Sequence, residues 1–139
     1  MTEEEIKTIE KHLGFRLPEL YRSTVLAYPF PENSFAAEFV LPNRAQEVIE
    51  LSDAAFSSPD IGKPFFIGTD GGDEWYFVDA LKEDSGVFVF ELETGKHHPL
   101  TTNWSAYLDH IAKTHADIAA DEESERQRKL KKKWWQFWI

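Results

Sequence analysis

The stretch that decides the fold is residues 64–91, which read PFFIGTDGGDEWYFVDALKEDSGVFVFE. It contains three short runs of aromatic and β-branched residues, at 64–68, 74–79 and 87–91, and each run is followed by residues that favour turns. This spacing predicts an antiparallel meander, with residues 97–100 as a further edge strand. Because the runs are apolar at successive positions, we expect both faces of the sheet to be covered, one of them by helices.

Two helices are predicted before the meander. Thr2 and Glu5 have the spacing of a capping box, apolar residues then recur at helical spacing, and Gly14 supplies a C-terminal stop. Pro18 suits the first position of a second helix, because the N–H that proline lacks would be unpaired there anyway. Pro29 lies beyond the end of that helix.

Three further elements complete the predicted order. Residues 35–41 are predicted as a short strand, and Asn43 as the cap of a third helix with Gln46 in the reciprocal position. After the sheet, Thr102 or Asn103 can cap a helix whose apolar positions recur at helical spacing. Those positions are Trp104, Tyr107, Leu108 and Ile111.

Helices followed by a sheet and then a helix predict a single α+β domain. We expect N-terminal helices, a central antiparallel sheet of about four to six strands, and a C-terminal helix extended by a charged segment. The domain is placed at residues 1–118. Residues 119–139 are predicted to form a charged helical extension with a basic, aromatic tail.

The charge is divided unevenly along the chain. Residues 1–125 hold all 25 acidic residues and nine basic ones, a net charge of −16, whereas residues 126–139 carry six basic residues and no acidic one. An acidic body opposes nucleic-acid binding and attracts basic partners, although it also serves solubility. The chain has no cysteine, an acidic N-terminus and no apolar run of membrane-spanning length, so we expect a cytoplasmic protein.

The ordered motifs resemble those of the SUKH superfamily, which includes yeast cell-wall-synthesis regulators and bacterial immunity proteins. The match rests on residues 9–21 (IEKHLGFRLPELY), 66–76 (FIGTDGGDEWY) and 86–89 (GVFV), and on the helix around Trp104. It covers roughly residues 3–115. The chain departs from the family after Tyr28, where members often carry an Asn-Gly-Gly-like turn.

For bacterial members, the resemblance implies a non-enzymatic protein that binds a cognate toxin domain, in some cases a nuclease, and neutralises it. An acidic surface suits such a partner, because a basic active cleft would be attracted to it. The candidate contact residues are eight carboxylates between residues 69 and 93, which turn formation and solubility explain equally well. They are Asp70, Asp73, Glu74, Asp79, Glu83, Asp84, Glu91 and Glu93.

No metal, cofactor or catalytic site is predicted. Asp70, Asp73 and Glu74 do not have the spacing of a calcium loop. His97 and His98 are adjacent on a strand and therefore point to opposite faces. No nucleophile elbow and no phosphate-binding loop is present.

The tail is rich in aromatic residues, and its candidate contact residues are Leu130, Trp134, Trp135, Phe137 and Trp138. Three alternatives remain open. The tail folds back on the domain or exchanges with a second copy to form a dimer; it docks on a protein partner; or it lies at an anionic membrane surface. A tail that recruits a protein partner, self-associates or touches the membrane would support another function, a non-enzymatic regulatory scaffold.

Overall fold

The computed structural model describes residues 1–54 and 60–114. Three α-helices and a short π-helix precede four strands, and a fourth α-helix, α4, begins at residue 104 and is described to residue 114. The other elements are α1 (Glu3–Leu13), α2 (Glu19–Leu26), π1 (Ala36–Val40), α3 (Ala45–Ala54), β1 (Pro64–Thr69), β2 (Glu74–Asp79), β3 (Val87–Glu91) and β4 (His97–Thr101). The predicted α+β class is confirmed.

The strands form one antiparallel sheet in the order β1-β2-β3-β4, as the meander predicts. The residues at 97–100 do form an edge strand, β4. A register shift between Phe66 and Gly68 marks a bulge in β1. Four strands lie within the described residues, at the lower end of the predicted number.

One face of the sheet packs on the helices. Phe65 and Ile67 of β1 and Val78 of β2 join the main core, which also contains Ile6 and Ile9 of α1. The alternate positions of the strands form a second cluster on the other face. Its buried members are Phe66, Phe77 and Phe90.

The N-terminal helix has the predicted ends. The Thr2 hydroxyl accepts a bond from the Glu5 N–H, the Glu5 carboxylate accepts one from the Thr2 N–H, and Gly14 adopts a left-handed conformation with φ 80°. The second helix begins at Glu19, one residue later than predicted. Pro18 is its cap residue with an extended ψ of 140°.

The predicted cap of the third helix is wrong. The side-chain oxygen of Asn43 accepts a hydrogen bond from the Met1 ammonium at 3.0 Å, and α3 begins two residues later, at Ala45. The Ala45 N–H instead donates to the Glu5 carboxylate at 3.2 Å. A carboxylate from α1 therefore satisfies a free N–H at the start of α3, which no local spacing rule could reveal.

The predicted strand at 35–41 is also wrong, because Ala36–Val40 form the π-helix π1. The Ser34 hydroxyl accepts a bond from the Ala37 N–H at 3.1 Å, and the Leu41 N–H donates to the Ala36 carbonyl at 2.7 Å. An apolar run this short fits a buried helical turn as well as a strand. The packing of this segment against β1 decides between helix and strand. The contact is close, because a Cβ on Gly68 would lie only 1.9 Å from the Val40 carbonyl oxygen.

The last helix is capped from two directions. The Asn103 side chain, one of the two predicted caps, accepts a bond from the Ala106 N–H at 2.8 Å. The Asp84 carboxylate accepts a bond from the Trp104 N–H at 2.7 Å. The predicted inward face of this helix is confirmed by Trp104, Tyr107 and Ile111, which are all buried. The extension at 119–139 lies outside the described residues.

Candidate functional site

The eight candidate carboxylates are divided between the two ends of the sheet. The β1–β2 and β3–β4 turns lie at one end, and the β2–β3 turn lies at the other. We call the first group the acidic end. It consists of Asp70, Asp73, Glu74, Glu91 and Glu93. The other three, Asp79, Glu83 and Asp84, lie at the opposite end.

Two aspartates of the acidic end organise its turns. The Asp70 carboxylate accepts bonds from the Gly72 and Glu74 N–H groups at 2.7 and 3.2 Å. The Asp73 carboxylate accepts a bond from the Glu93 N–H at 2.8 Å, which ties the two turns together. Both side chains are exposed and keep free lone pairs, so structural bonds and partner contact are compatible at these positions.

The two glutamates of the acidic end that lie on strands face each other. Glu74 of β2 and Glu91 of β3 are directly paired, an arrangement of like charges that costs stability. His98 lies 3.8 Å from the Glu91 carboxylate, and the Thr94 hydroxyl donates to it at 3.0 Å. The hydroxyl bond from Thr94 offsets part of the repulsion, whereas the Glu74 carboxylate has no side-chain hydrogen bond or ion pair within the described residues.

The carboxylates at the opposite end differ in availability. Asp79 is buried, and its carboxylate accepts bonds from the Lys63 and Leu81 N–H groups, so its side chain holds a turn below the surface. Asp84 is exposed but caps α4. Glu83 is exposed, with no side-chain hydrogen bond or ion pair to another described residue.

An apolar groove lies beside the acidic end, and no single segment of the sequence indicates it. Its volume is about 100 Å³, and π1, β2 and α4 form its walls. The residues that line it are Phe35, Ala36, Val40, Tyr76, Tyr107, His110, Ile111 and Thr114. The sequence indicated each wall separately but not that they meet, because Val40 and Tyr107, 67 positions apart, come into contact only in the tertiary fold.

Acidic residues border the groove. Burial is the main cause that raises the pKa of Tyr76 to about 12, and the charges of Asp70 and Glu74 add to this effect. The β1–β2 turn also packs beside π1, because a Cβ on Gly71 would lie 3.5 Å from the ring of Phe39 in π1. The groove therefore has apolar walls and a negative rim, which suits a ligand that combines apolar and basic groups.

The tail residues predicted as contacts, Leu130, Trp134, Trp135, Phe137 and Trp138, lie outside the described residues. Within 1–54 and 60–114, no group of three or more His, Asp or Glu side chains is arranged to hold a metal ion. No helix in the described part of the chain is long and apolar enough to cross a membrane.

The fold and the site together define an α+β domain with an apolar groove that is bordered by the acidic turns of a four-stranded meander. Residues 1–110 match the model of the SMI1 / KNR4 family (SUKH-1). The chain belongs to this family, which confirms the resemblance drawn from its motifs. Searches of curated proteins and of solved structures found no match.

Proposed function

We propose that this chain is an immunity protein that binds and neutralises a toxin domain through its acidic end. The observation that carries the proposal is membership of the SUKH-1 family over residues 1–110. Bacterial members of the SUKH superfamily include immunity proteins, and their role is to bind a toxin rather than to catalyse a reaction. The protein acts in the cytoplasm, where such toxins reach their targets.

The acidic end supports a basic partner. Asp70, Asp73 and Glu93 are exposed, and Glu74 and Glu91 are partly exposed. Clustered charge of one sign attracts a partner of opposite charge and speeds association. A nuclease domain fits this description, because an active cleft that binds phosphates needs basic residues.

The turns that carry these charges are held in place before a partner arrives. The bond from the Glu93 N–H to the Asp73 carboxylate joins two turns that are 20 residues apart in the chain. The Leu92 N–H also donates to the Asp73 carbonyl, at 3.0 Å. A fixed surface loses less conformational freedom on binding, so more of the interaction energy contributes to affinity.

The experiment that tests the function measures binding and inhibition of the toxin encoded beside this protein's gene. Glu93→Lys should slow association about three- to tenfold, because it reverses a charge on the acidic end. Glu83→Lys is the matched control. It makes the same change in net charge at an exposed position on the opposite end of the sheet.

Each outcome has a distinct meaning. Binding and inhibition by the native chain, with a larger effect at Glu93 than at Glu83, support both the function and the surface. Equal effects of the two substitutions contradict the surface but not the function. If the purified chain neither binds nor inhibits the toxin, the immunity proposal is wrong.

A further inference from the structure

The apolar groove beside the acidic end has a specific combination of properties. Its walls come from Phe35 and Val40 around π1, Tyr76 of β2, and Tyr107 and Ile111 of α4. The Tyr107 hydroxyl donates to the Val40 carbonyl at 2.8 Å, so this bond joins α4 to π1 between two residues that line the groove. An apolar cavity of this kind gains free energy when aromatic side chains fill it.

The direction of α4 brings the end of the described chain to this groove. Asp84, at the opposite end of the sheet, caps the start of α4, and Tyr107 contacts Tyr76 with ring centroids 6.0 Å apart. The eleven residues from 104 to 114 are helical, and the axis rises about 15 Å from the first to the last, toward the acidic end. Thr114, the last described residue, lines the groove.

The segment that follows has complementary chemistry. Residues 131–133 are three lysines, and residues 134–139 contain Trp134, Trp135, Phe137 and Trp138. The lysines are complementary in charge to the negative rim formed by Asp70 and Glu74, and the aromatic rings can pack against the apolar lining. Trp134 lies 20 positions after Thr114, which is ample chain to turn back, because each extended residue covers about 3.3 Å.

We propose that residues 130–139 dock in this groove of their own domain, with the aromatic side chains between π1 and α4 and the lysines against Asp70 and Glu74. Tethering favours this occupant over a free partner, because a linked segment is present at an effective concentration on the order of millimolar. This proposal does not depend on the identity of a toxin. It selects one of the three alternatives that the sequence left open.

Disulfide trapping in the full chain tests the proposal. Because the native chain has no cysteine, any disulfide must join the introduced cysteines. The test chain carries His110→Cys, an exposed position on the lining of the groove, together with Gln136→Cys, which keeps every aromatic side chain of the tail. The control chain carries Glu83→Cys with the same Gln136→Cys. Glu83 is also exposed but lies near the other end of α4.

Under mild oxidation, the groove pair should form an intramolecular disulfide on the order of ten times faster than the control pair, because docking raises the effective concentration of the thiols. A second groove chain with Thr114→Cys replaces the first if circular dichroism shows that His110→Cys is unfolded. Equal rates for the groove and control pairs overturn the proposal. Disulfide-linked dimers that form at a rate dependent on protein concentration overturn it too, and assign the groove to the tail of a second copy.

Discussion

At the scale of single residues, Glu5 joins the first helix to the third. One carboxylate oxygen accepts the Thr2 N–H within α1, and the other accepts the Ala45 N–H at the start of α3. The bond from Ala45 is the largest cause that lowers the pKa of Glu5 in the folded chain, and partial burial opposes it. A single capping residue thus stabilises the start of α1 and also the start of α3, where it binds Ala45, 40 positions further along the chain.

Replacement of this carboxylate should have a pH-dependent effect. Glu5→Gln should lower the free energy of unfolding by about 1 kcal/mol at neutral pH, because a charged acceptor of two N–H groups is lost. Since the pKa of Glu5 is lowered in the folded chain, the stabilisation is present above the unfolded pKa and is lost as pH falls through the folded pKa. Urea unfolding of both chains at several pH values measures this.

The matched control is Glu4→Gln, on the same turn of α1 but exposed and without a side-chain bond to another described residue. It should leave stability nearly unchanged at every pH. A constant difference between Glu5→Gln and the native chain down to strongly acidic pH would contradict this account of Glu5.

At the scale of secondary-structure elements, the close contact between π1 and β1 requires a residue without a side chain at position 68. The Val40 carbonyl oxygen occupies the space that a Cβ of Gly68 would need, at 1.9 Å. Gly68 also follows the register shift in β1. The bulge and the glycine together let π1 approach the sheet, and π1 in turn supplies one wall of the groove.

Gly68→Ala should therefore destabilise the protein by about 2–4 kcal/mol, because the backbone of π1 must move away from β1 to make room. Gly72→Ala is the control, since its added Cβ would meet only the Asp70 carboxylate, at 3.5 Å, an ordinary contact distance. Thermal unfolding of the two variants measures the difference. Similar midpoints would mean that π1 is not held against β1.

The sequence predicted these elements unevenly. The strands at 64–69, 74–79 and 87–91 are bounded by strong turn signals, and their positions were predicted almost to the residue. The π-helix at Ala36–Val40 was predicted as a strand, because a short apolar run has no periodicity that separates the two structures. Asn43 has a good capping side chain, but its partner in the fold is the Met1 ammonium.

At the scale of the whole molecule, the separation of charge along the chain distinguishes the two candidate functions. The acidic body meets a basic toxin in the immunity proposal, whereas the scaffold alternative depends on the aromatic tail. The family match ends at residue 110, before the tail begins. The two functions therefore rest on different parts of the chain.

Deletion of residues 130–139 should not weaken toxin neutralisation, because the carboxylates of the acidic end lie within residues 70–93 and the deletion also removes the lysines proposed to lie against Asp70 and Glu74. Titration calorimetry and a toxin activity assay on the full and shortened chains make the comparison. Circular dichroism shows whether the shortened chain is folded. Loss of binding by a folded, shortened chain would instead support the scaffold function.

The sequence by itself determined the α+β class, the four strands of the meander, the ends of the first helix and the family, because these follow from local periodicity, turn residues and ordered motifs. Only the tertiary structure decided which carboxylates are available. It buried Asp79 in a turn, placed Glu83 at the far end of the sheet and gathered five others beside an apolar groove. Positions this far apart in the chain meet through strand pairing and helix packing, and these depend on contacts between elements rather than on the order of residues within one.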